Sequence, residues 1–505
     1  LDYDQDGDLD IFLVQSNIIG PGKKLADARP PFKGKGQPRD RLFRNDSKSG
    51  VLKFVDVTEE SGILSTGYGM GVASGDVNND GYPDLYITNL GSNQLFLNKG
   101  DGHFEDVTGK SGADDPKWST SASFFDFDRD GWLDLYIANY TVYDAANEPR
   151  CYTPGSARDY CGPAAYPRER DTLLRNTGNG VFENATRRLT SPNGYGPGLG
   201  VVTTDLNGDG WLDIYVANDG AANLLWLNNK GTFADEALMA GVALNGVGKA
   251  EAGMGVTAGD FDGDGDDDLF VTHLMDETNT LYVNDGDLYF DDLTIEKGLA
   301  SVSRRYTAFG TFWFDMDNDG WLDLITLNGA VSKQRAMAGK DTWDIFEEPN
   351  QLFRNMGGKK FEEIKDPAIS NDKHVSRGAA FGDIDNDGDM DIVITNTSGP
   401  VRLLKNVMGN TRNWLGLRLL NKDLKRDMLG ARVKIVPEGG QPLWRRSKTD
   451  GSYVSAHDPR VLAGLGQAKA IKEVVVYWPD GKQETWKNLP VNEYTTLYQG
   501  TGEKK

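Results

Sequence analysis

DFDRDGWLDLYIAN, residues 126–139, is the stretch whose reading decides the fold. Carboxylates fall at positions 1, 3, 5 and 9 of its first nine residues (Asp126, Asp128, Asp130, Asp134), a glycine stands at position 6, and an apolar run follows at once. Carboxylates packed into so short a turn repel one another strongly unless a cation neutralises them. The pattern D-x-[DN]-x-D-G-x-x-D recurs six more times, starting at Asp2, Asp76, Asp205, Asp260, Asp315 and Asp383. Every copy runs into a strand-like segment (DIFLV, DLYITN, DIYVAN, DLFVTH, DLITLN, DIVITN), and most follow a run of small residues such as GMGVASGD. The loop therefore reads as the turn of a β-hairpin.

Working outward, a second element follows each loop: RLFRN, QLFLN, TLLRN, LLWLN, TLYVN, QLFRN and RLLKN, usually with a further strand such as FEDVT. That makes about four strands per unit. Successive loops begin 74, 50, 79, 55, 55 and 68 residues apart, so a unit of 50–55 residues carries insertions in the first, third and sixth copies, near 18–40, 141–170 and 329–349. Four-stranded units of this period cannot bury both faces alone. Stacked radially they share a core, and seven loops imply a seven-bladed β-propeller over residues 1–408. A linear solenoid is the alternative, and it normally needs capping repeats. Beyond it, GARVKIV, GSYVS and EVVVYWPDGK alternate apolar and polar residues between turns, which predicts a small antiparallel β-sandwich over 409–505. The expected class is all-β.

Hard oxygen donors select Ca²⁺ or Mg²⁺, and a flexible loop of carboxylates and carbonyls favours Ca²⁺. The candidate ligands are Asp2, Asp4, Asp6, Asp8 and Asp10 in loop 1; Asp76, Asn78, Asp80, Tyr82 and Asp84 in loop 2; and Asp126, Asp128, Asp130, Trp132 and Asp134 in loop 3. Loop 4 offers Asp205, Asn207, Asp209, Trp211 and Asp213; loop 5 offers Asp260, Asp262, Asp264, Asp266 and Asp268. Loop 6 contributes Asp315, Asp317, Asp319, Trp321 and Asp323, and loop 7 contributes Asp383, Asp385, Asp387, Asp389 and Asp391. Position 7 in each set acts through its backbone carbonyl, whereas Asn78 and Asn207 keep an oxygen donor and drop one charge. About seven Ca²⁺ ions are expected, offsetting more than half of the net charge of −22. Position 12 carries no Glu and no helices are expected to flank the loops, which argues against a helical EF-hand. Merely solvated acidic turns would not repeat position by position.

Acidity of this degree argues against a nucleic-acid or anionic-membrane partner. No run of about 18 apolar residues crosses a bilayer as a helix. The chain opens at Leu1 inside a repeat, so the strand before loop 1 and any signal peptide are expected to lie outside this sequence. Cys151 and Cys161 share one Pro/Gly/Tyr-rich insert; the spacing allows a small disulfide loop, with two free thiols as the alternative.

The loops, with the L-F-x-N and F-x-D-V-T segments, resemble the FG-GAP/VCBS repeats also found in integrin α-subunit propellers. NWLGLRLL, LGARVKIV, GSYVSAHDPRVLAGLG and VVVYWPDGKQETW, within 413–499, resemble the ASPIC/UnbV domain. The combination is similar to the cartilage acidic protein family and its bacterial relatives, and it covers nearly the whole chain. Tyr160-Cys161-Gly162-Pro163, Thr272-His273-Leu274 and Glu277-Thr278-Asn279 also look family-like. The resemblance implies secretion and a calcium-stabilised propeller.

Catalytic signatures are absent: no H-E-x-x-H, G-x-S-x-G or C-x-x-C-H occurs, and the four histidines are scattered. One hypothesis places His273 with Glu277, Arg304, Arg305 and Tyr306 in a central pocket, against the plainer reading of a hydrogen-bonded structural histidine. Trp132, Trp211 and Trp321 all occupy loop position 7, where repetition points to packing between blades. Three function classes follow: a binding or adhesion module contacting a protein or glycan through its insertions, a self-assembling extracellular layer or filament, and an enzyme acting on a sugar or secondary metabolite in the channel.

Overall fold

Gly75 pairs with Asp84, Phe125 with Asp134, Thr204 with Asp213, Gly259 with Asp268, Phe314 with Asp323 and Gly382 with Asp391, so six Asp-rich loops close antiparallel hairpins. Loop 1 makes the equivalent rung, Asp10 N–H donating to the Leu1 carbonyl at 2.6 Å. Two residues in each loop have left-handed backbone: position 4 (φ 61° at Asn79) and the position-6 glycine (φ 95° at Gly81). The computed structural model describes residues 1–504 apart from 21, 29–30, 35, 49, 153–157, 192–193, 333–342, 398, 410 and 424.

Among the described residues, seven sheets of three to five strands follow one another along the chain before the C-terminal region, with a separate two-stranded ribbon, Cys151–Tyr152 against Arg158–Asp159, in the third insertion. The second is typical, running Gly69–Gly75, Asp84–Asn89, Gln94–Asn98, Phe104–Asp106 from inside outward. The first sheet has three strands (Ile11–Leu13, Arg41–Asn45, Phe54–Asp56), and the seventh also has three (Ser376–Gly382, Asp391–Asn396, Arg402–Leu404). At the inner edge of the first lies a cavity of about 130 Å³ lined by Leu13, Val72, Phe381 and Val454. The fourth sheet has five strands, because Leu189–Thr190 joins Phe233–Asp235 in parallel.

Around the ring, one apolar cluster after another joins neighbouring sheets. Leu42 meets Leu85, Tyr86 meets Phe124, Tyr136 meets Ile214, Tyr215 meets Val271, Phe270 meets Trp313 and Ile325 meets Ile392. The last cluster joins Val393 and Ile384 to Leu9 and Ile11, returning from the seventh sheet to the first. A residue such as Tyr86 or Leu324, at most 1% exposed, contributes roughly 1.5–3 kcal/mol by burial. The result is a closed propeller rather than a solenoid.

Because strands alternate in direction, the insertions between second and third strands lie at the opposite end of the sheets from the Asp-rich loops. Within 141–170, Cys151 and Cys161 form a disulfide. Ser332 donates to Asp159 at 2.8 Å and Tyr160 packs against Phe346, so the third and sixth insertions meet. Residues 333–342 of the expected 329–349 insertion lie outside the described residues.

Asn413–Leu420, Val461–Gly466 and Tyr494–Tyr498 form one C-terminal sheet, and Arg432–Pro437, Leu443–Arg446, Ile471–Tyr477, Gln483–Trp486 and Glu503–Lys504 another, around one core with Leu417, Val433 and Val474. The pairing departs from the antiparallel expectation in one place. Asn413–Leu420 runs parallel to Tyr494–Tyr498, a connection that alternation along the sequence does not reveal.

Candidate metal centres

At positions 5 and 9 all seven loops use their carboxylates alike. At position 9, the Asp accepts from the backbone N–H of position 2 at 2.9–3.3 Å. It also accepts from the N–H of the asparagine closing the L-x-x-N segment, at 2.7–2.9 Å. Position 5 accepts from the N–H of position 7 at 2.8–3.1 Å. In loops 2, 3, 4, 6 and 7, position 1 accepts from the glycine N–H. These bonds fix the loop shape and hold the acidic side chains on a common centre.

Carboxylate oxygens of Asp2, Asp4 and Asp6 lie within 4.8 Å of one another, as do those of Asp126, Asp128 and Asp134; Asp260, Asp262 and Asp268; Asp315, Asp317 and Asp323; and Asp383, Asp385 and Asp391. Loops 2 and 4 present Asn78 and Asn207 at position 3. Buried oxygens without a partner recur at these places: Oδ1 of Asp2, Asp4, Asp126, Asp128, Asp262 and Asp385. An orphaned carboxylate oxygen in a cluster of others is costly unless a cation takes it. Burial lifts the carboxyls of Asp76, Asp126, Asp205 and Asp383 to about 6, and those of Asp260 and Asp315 to about 7. It lifts Asp323 to about 8. A divalent ion reverses that tendency by stabilising the ionised form. The donor set therefore fits a hard divalent ion. Position-7 side chains do other work: Trp211 stacks under the Arg129 guanidinium at 3.8 Å, between loops 3 and 4.

Three features escaped the sequence reading. The closing asparagines form a ring, each amide donating at 2.8–3.0 Å to the position-2 carbonyl of the preceding loop: Asn98 to Tyr3, Asn176 to Val77, Asn228 to Phe127, Asn284 to Leu206, Asn355 to Phe261, Asn406 to Met316, and Asn45 back to Ile384. Position-4 side chains make a second ring. Gln5, Asn79, Arg129, Asn318 and Asn386 reach the glycine carbonyl of the following loop. Loops 4 and 5 have Gly208 and Gly263 there, and at Gly320 the missing donor is replaced by Arg445 of the C-terminal region at 2.9 Å. The seven repeated asparagines were a visible signal; the arginines carried none.

The third feature is the placement of the C-terminal region over the loops. Arg426 donates to the Gly131 carbonyl at 2.8 Å, Arg460 to Asp383 O at 2.8 Å and to Asn386 at 2.6 Å, and Arg418 lies 3.8 Å from Asp2. From the same region, Thr449–His457 enters the middle of the ring. Thr449 donates to Ser74 O, Asp450 accepts from Ser123 and Thr203, Ser452 pairs with Val256 and accepts from Thr311, and His457 accepts from Phe381 N–H. Inner strands of sheets two to seven are thus engaged. His273, Glu277, Arg304, Arg305 and Tyr306 do not gather into a channel pocket. His273 is sealed at 1% exposure, Arg304 and Arg305 face outward, and Glu277 accepts from Ala252 N–H.

A family model described as FG-GAP-like repeat matches residues 2–87, 76–137, 164–216, 205–271, 260–326 and 341–394, and one described as ASPIC and UnbV matches 421–504. Cartilage acidic protein 1 of Mus musculus is 28% identical over 299 residues, 57% of this chain and 43% of its own length. That of Xenopus tropicalis is 27% identical over 349 residues, 66% and 49%. The matched part spans less than half of either relative. Among solved structures, an Agrocybe aegerita lectin has 16% identity and a TM-score of 0.41, covering 73% of this chain and 88% of its own. A Bacillus licheniformis rhamnogalacturonan lyase has 12% identity and a TM-score of 0.35, covering 94% and 82%.

Proposed function

The chain belongs to the FG-GAP-like repeat family, with an ASPIC and UnbV segment at its C-terminal end, and from that premise we propose that it is a secreted, calcium-loaded propeller that binds a protein or glycan partner through the face bearing its insertions. FG-GAP repeats are typically calcium-binding, and the Asp clusters could hold a metal. Asp at positions 1, 3, 5 and 9, with Asn78 and Asn207 in their loops, would hold about seven ions. Calcium supplies charge neutralisation there; the chain's own backbone donors already set the loop shape. No described helix is long and apolar enough to cross a membrane.

The observation that carries the reading is the occupation of the ring centre by Thr449–His457. With the loop face covered and the centre filled, the insertion face is left for recognition, which favours binding over channel catalysis. Binding of the calcium-loaded chain to immobilised extracellular-matrix proteins and glycans, with and without EGTA, tests this. Calcium-dependent retention that falls when residues 141–170 are shortened to a tight turn supports it. Retention unchanged by that shortening, or turnover of a sugar substrate, would overturn it.

A further inference from the structure

Within this one chain, loop position 3 varies together with the residue before the closing asparagine. Where position 3 is Asp4, Asp128, Asp317 or Asp385, that residue is Arg44, Arg175, Arg354 or Lys405. Where it is Asn78 or Asn207, the residue is Leu97 or Leu227. Loop 5 breaks the rule: Asp262 goes with Val283.

The structure gives the pairing a physical form. Arg175 bonds Asp128 at 2.6 Å and also reaches Asp130; Arg354 bonds Asp317 and lies 3.6 Å from Asp319; Lys405 bonds Asp385 and lies 3.2 Å from Asp387. Arg44 bonds Asp46 while its charge acts on Asp4. In loops 2 and 4 the amide takes over, Asn78 donating to Asp80 at 2.9 Å and Asn207 to Asp209 at 3.3 Å. At positions 1, 3, 5 and 9, four loops therefore set four carboxylates against at least one cation, with Arg188 a second one 3.6 Å from Asp128 and Arg412 a second one bonded to Asp317, while loops 2 and 4 set three carboxylates against none from the residue before the asparagine. Loop 5 keeps four. The other cations near it do not restore the balance: Lys297 acts on Asp262 but gives its Nζ to the Gly358 carbonyl at 3.0 Å, Arg445 is shared with Asp315, 4.0 Å away, and Arg432 and Arg446 act on Asp266 and Asp267, outside those four. Asp262 Oδ1 is buried without a partner, within 4.8 Å of oxygens from Asp260 and Asp268.

We infer that the residue before the closing asparagine tunes the charge of each metal site, and that loop 5 is the tightest divalent-ion site of the ring because Val283 leaves its four ligand carboxylates without a facing cation. This rests on the calcium reading above. A whole charge a few ångströms from an ion changes its affinity by about tenfold or more.

Calorimetric titration of the metal-stripped full-length chain with Ca²⁺ tests it, using Val283→Arg, Val283→Met and Lys405→Leu. One wild-type site is expected at least about tenfold tighter than the rest. Val283→Arg should abolish that class, Val283→Met should retain it by matching length without charge, and Lys405→Leu, which removes the cation paired with Asp385, should add a second tight site. Arginine occupies the equivalent position in sister sheets, so the fold accommodates it; circular dichroism checks this. Retention of the tight class in Val283→Arg, or its loss in Val283→Met, overturns the inference while leaving calcium binding intact. No heat of binding from any chain would sink the calcium reading itself.

Discussion

Asn386 of the seventh loop donates through its side-chain amide to the carbonyl of Gly7 in the first, at 3.2 Å across 379 residues of chain. Asn45 closes the ring a second time, donating to Ile384 O at 2.9 Å from a site 2% exposed. The two closures differ in burial, so they differ in cost. Asn45→Ala leaves two buried carbonyls and is expected to cost about 2–3 kcal/mol, whereas Asn386→Ala, at an exposed position, costs under about 1 kcal/mol. Urea unfolding of both variants checks the order; equal costs would contradict it.

Chelation should lower stability, because ions bind the folded loops and not the dispersed carboxylates of the unfolded chain. Each site saturated at a hundredfold its Kd contributes about 2.7 kcal/mol. Scanning calorimetry in Ca²⁺ and in excess EGTA is expected to show a large drop in Tm. Identical melts would rule out structural calcium.

Ser452 and Val256 exchange two backbone hydrogen bonds, at 2.7 and 3.0 Å, and Ser452 has φ 62°. Proline has no N–H and holds φ near −65°, so Ser452→Pro should unseat the segment inside the ring at a cost of about 3 kcal/mol or more. Hydrogen exchange at Val256 reads the effect directly. Unaltered protection there would mean the pairing is not formed in solution.

Burial pushes the His273 imidazole down to about 4 and that of His457 to about 3. The unfolded chain, with values near 6.5, takes up protons that the folded state refuses, so this contribution is complete above pH 6.5 and is lost as pH falls toward 4. Each histidine adds a slope of up to about 1.4 kcal/mol per pH unit in that window. His457→Asn, which keeps an acceptor for Phe381 N–H, should flatten the stability profile between pH 6.5 and 4 at saturating Ca²⁺. A parallel profile would refute the assignment.

Much of this was legible in the sequence, and for a physical reason. Asp126, Asp128, Asp130, Gly131 and Asp134 act through local geometry: a nine-residue turn fixes which atoms meet, and seven repetitions remove ambiguity about both loop and hairpin. Repeat spacing likewise dictated sheets that must share cores such as Tyr86 with Phe124. Contacts between distant segments left no such trace. Nothing local in Arg445 announces that it replaces the donor missing at Gly263, and nothing in DGSYVSAH announces a segment seated among six inner strands. The pocket hypothesis for His273 failed for the same reason, since proximity along a strand end does not show what covers it, and the buried residue fits the plainer alternative of a structural histidine. Sequence determined what recurs within each unit; tertiary structure decided which surfaces the units leave open, because that depends on where the C-terminal chain returns after the ring has closed.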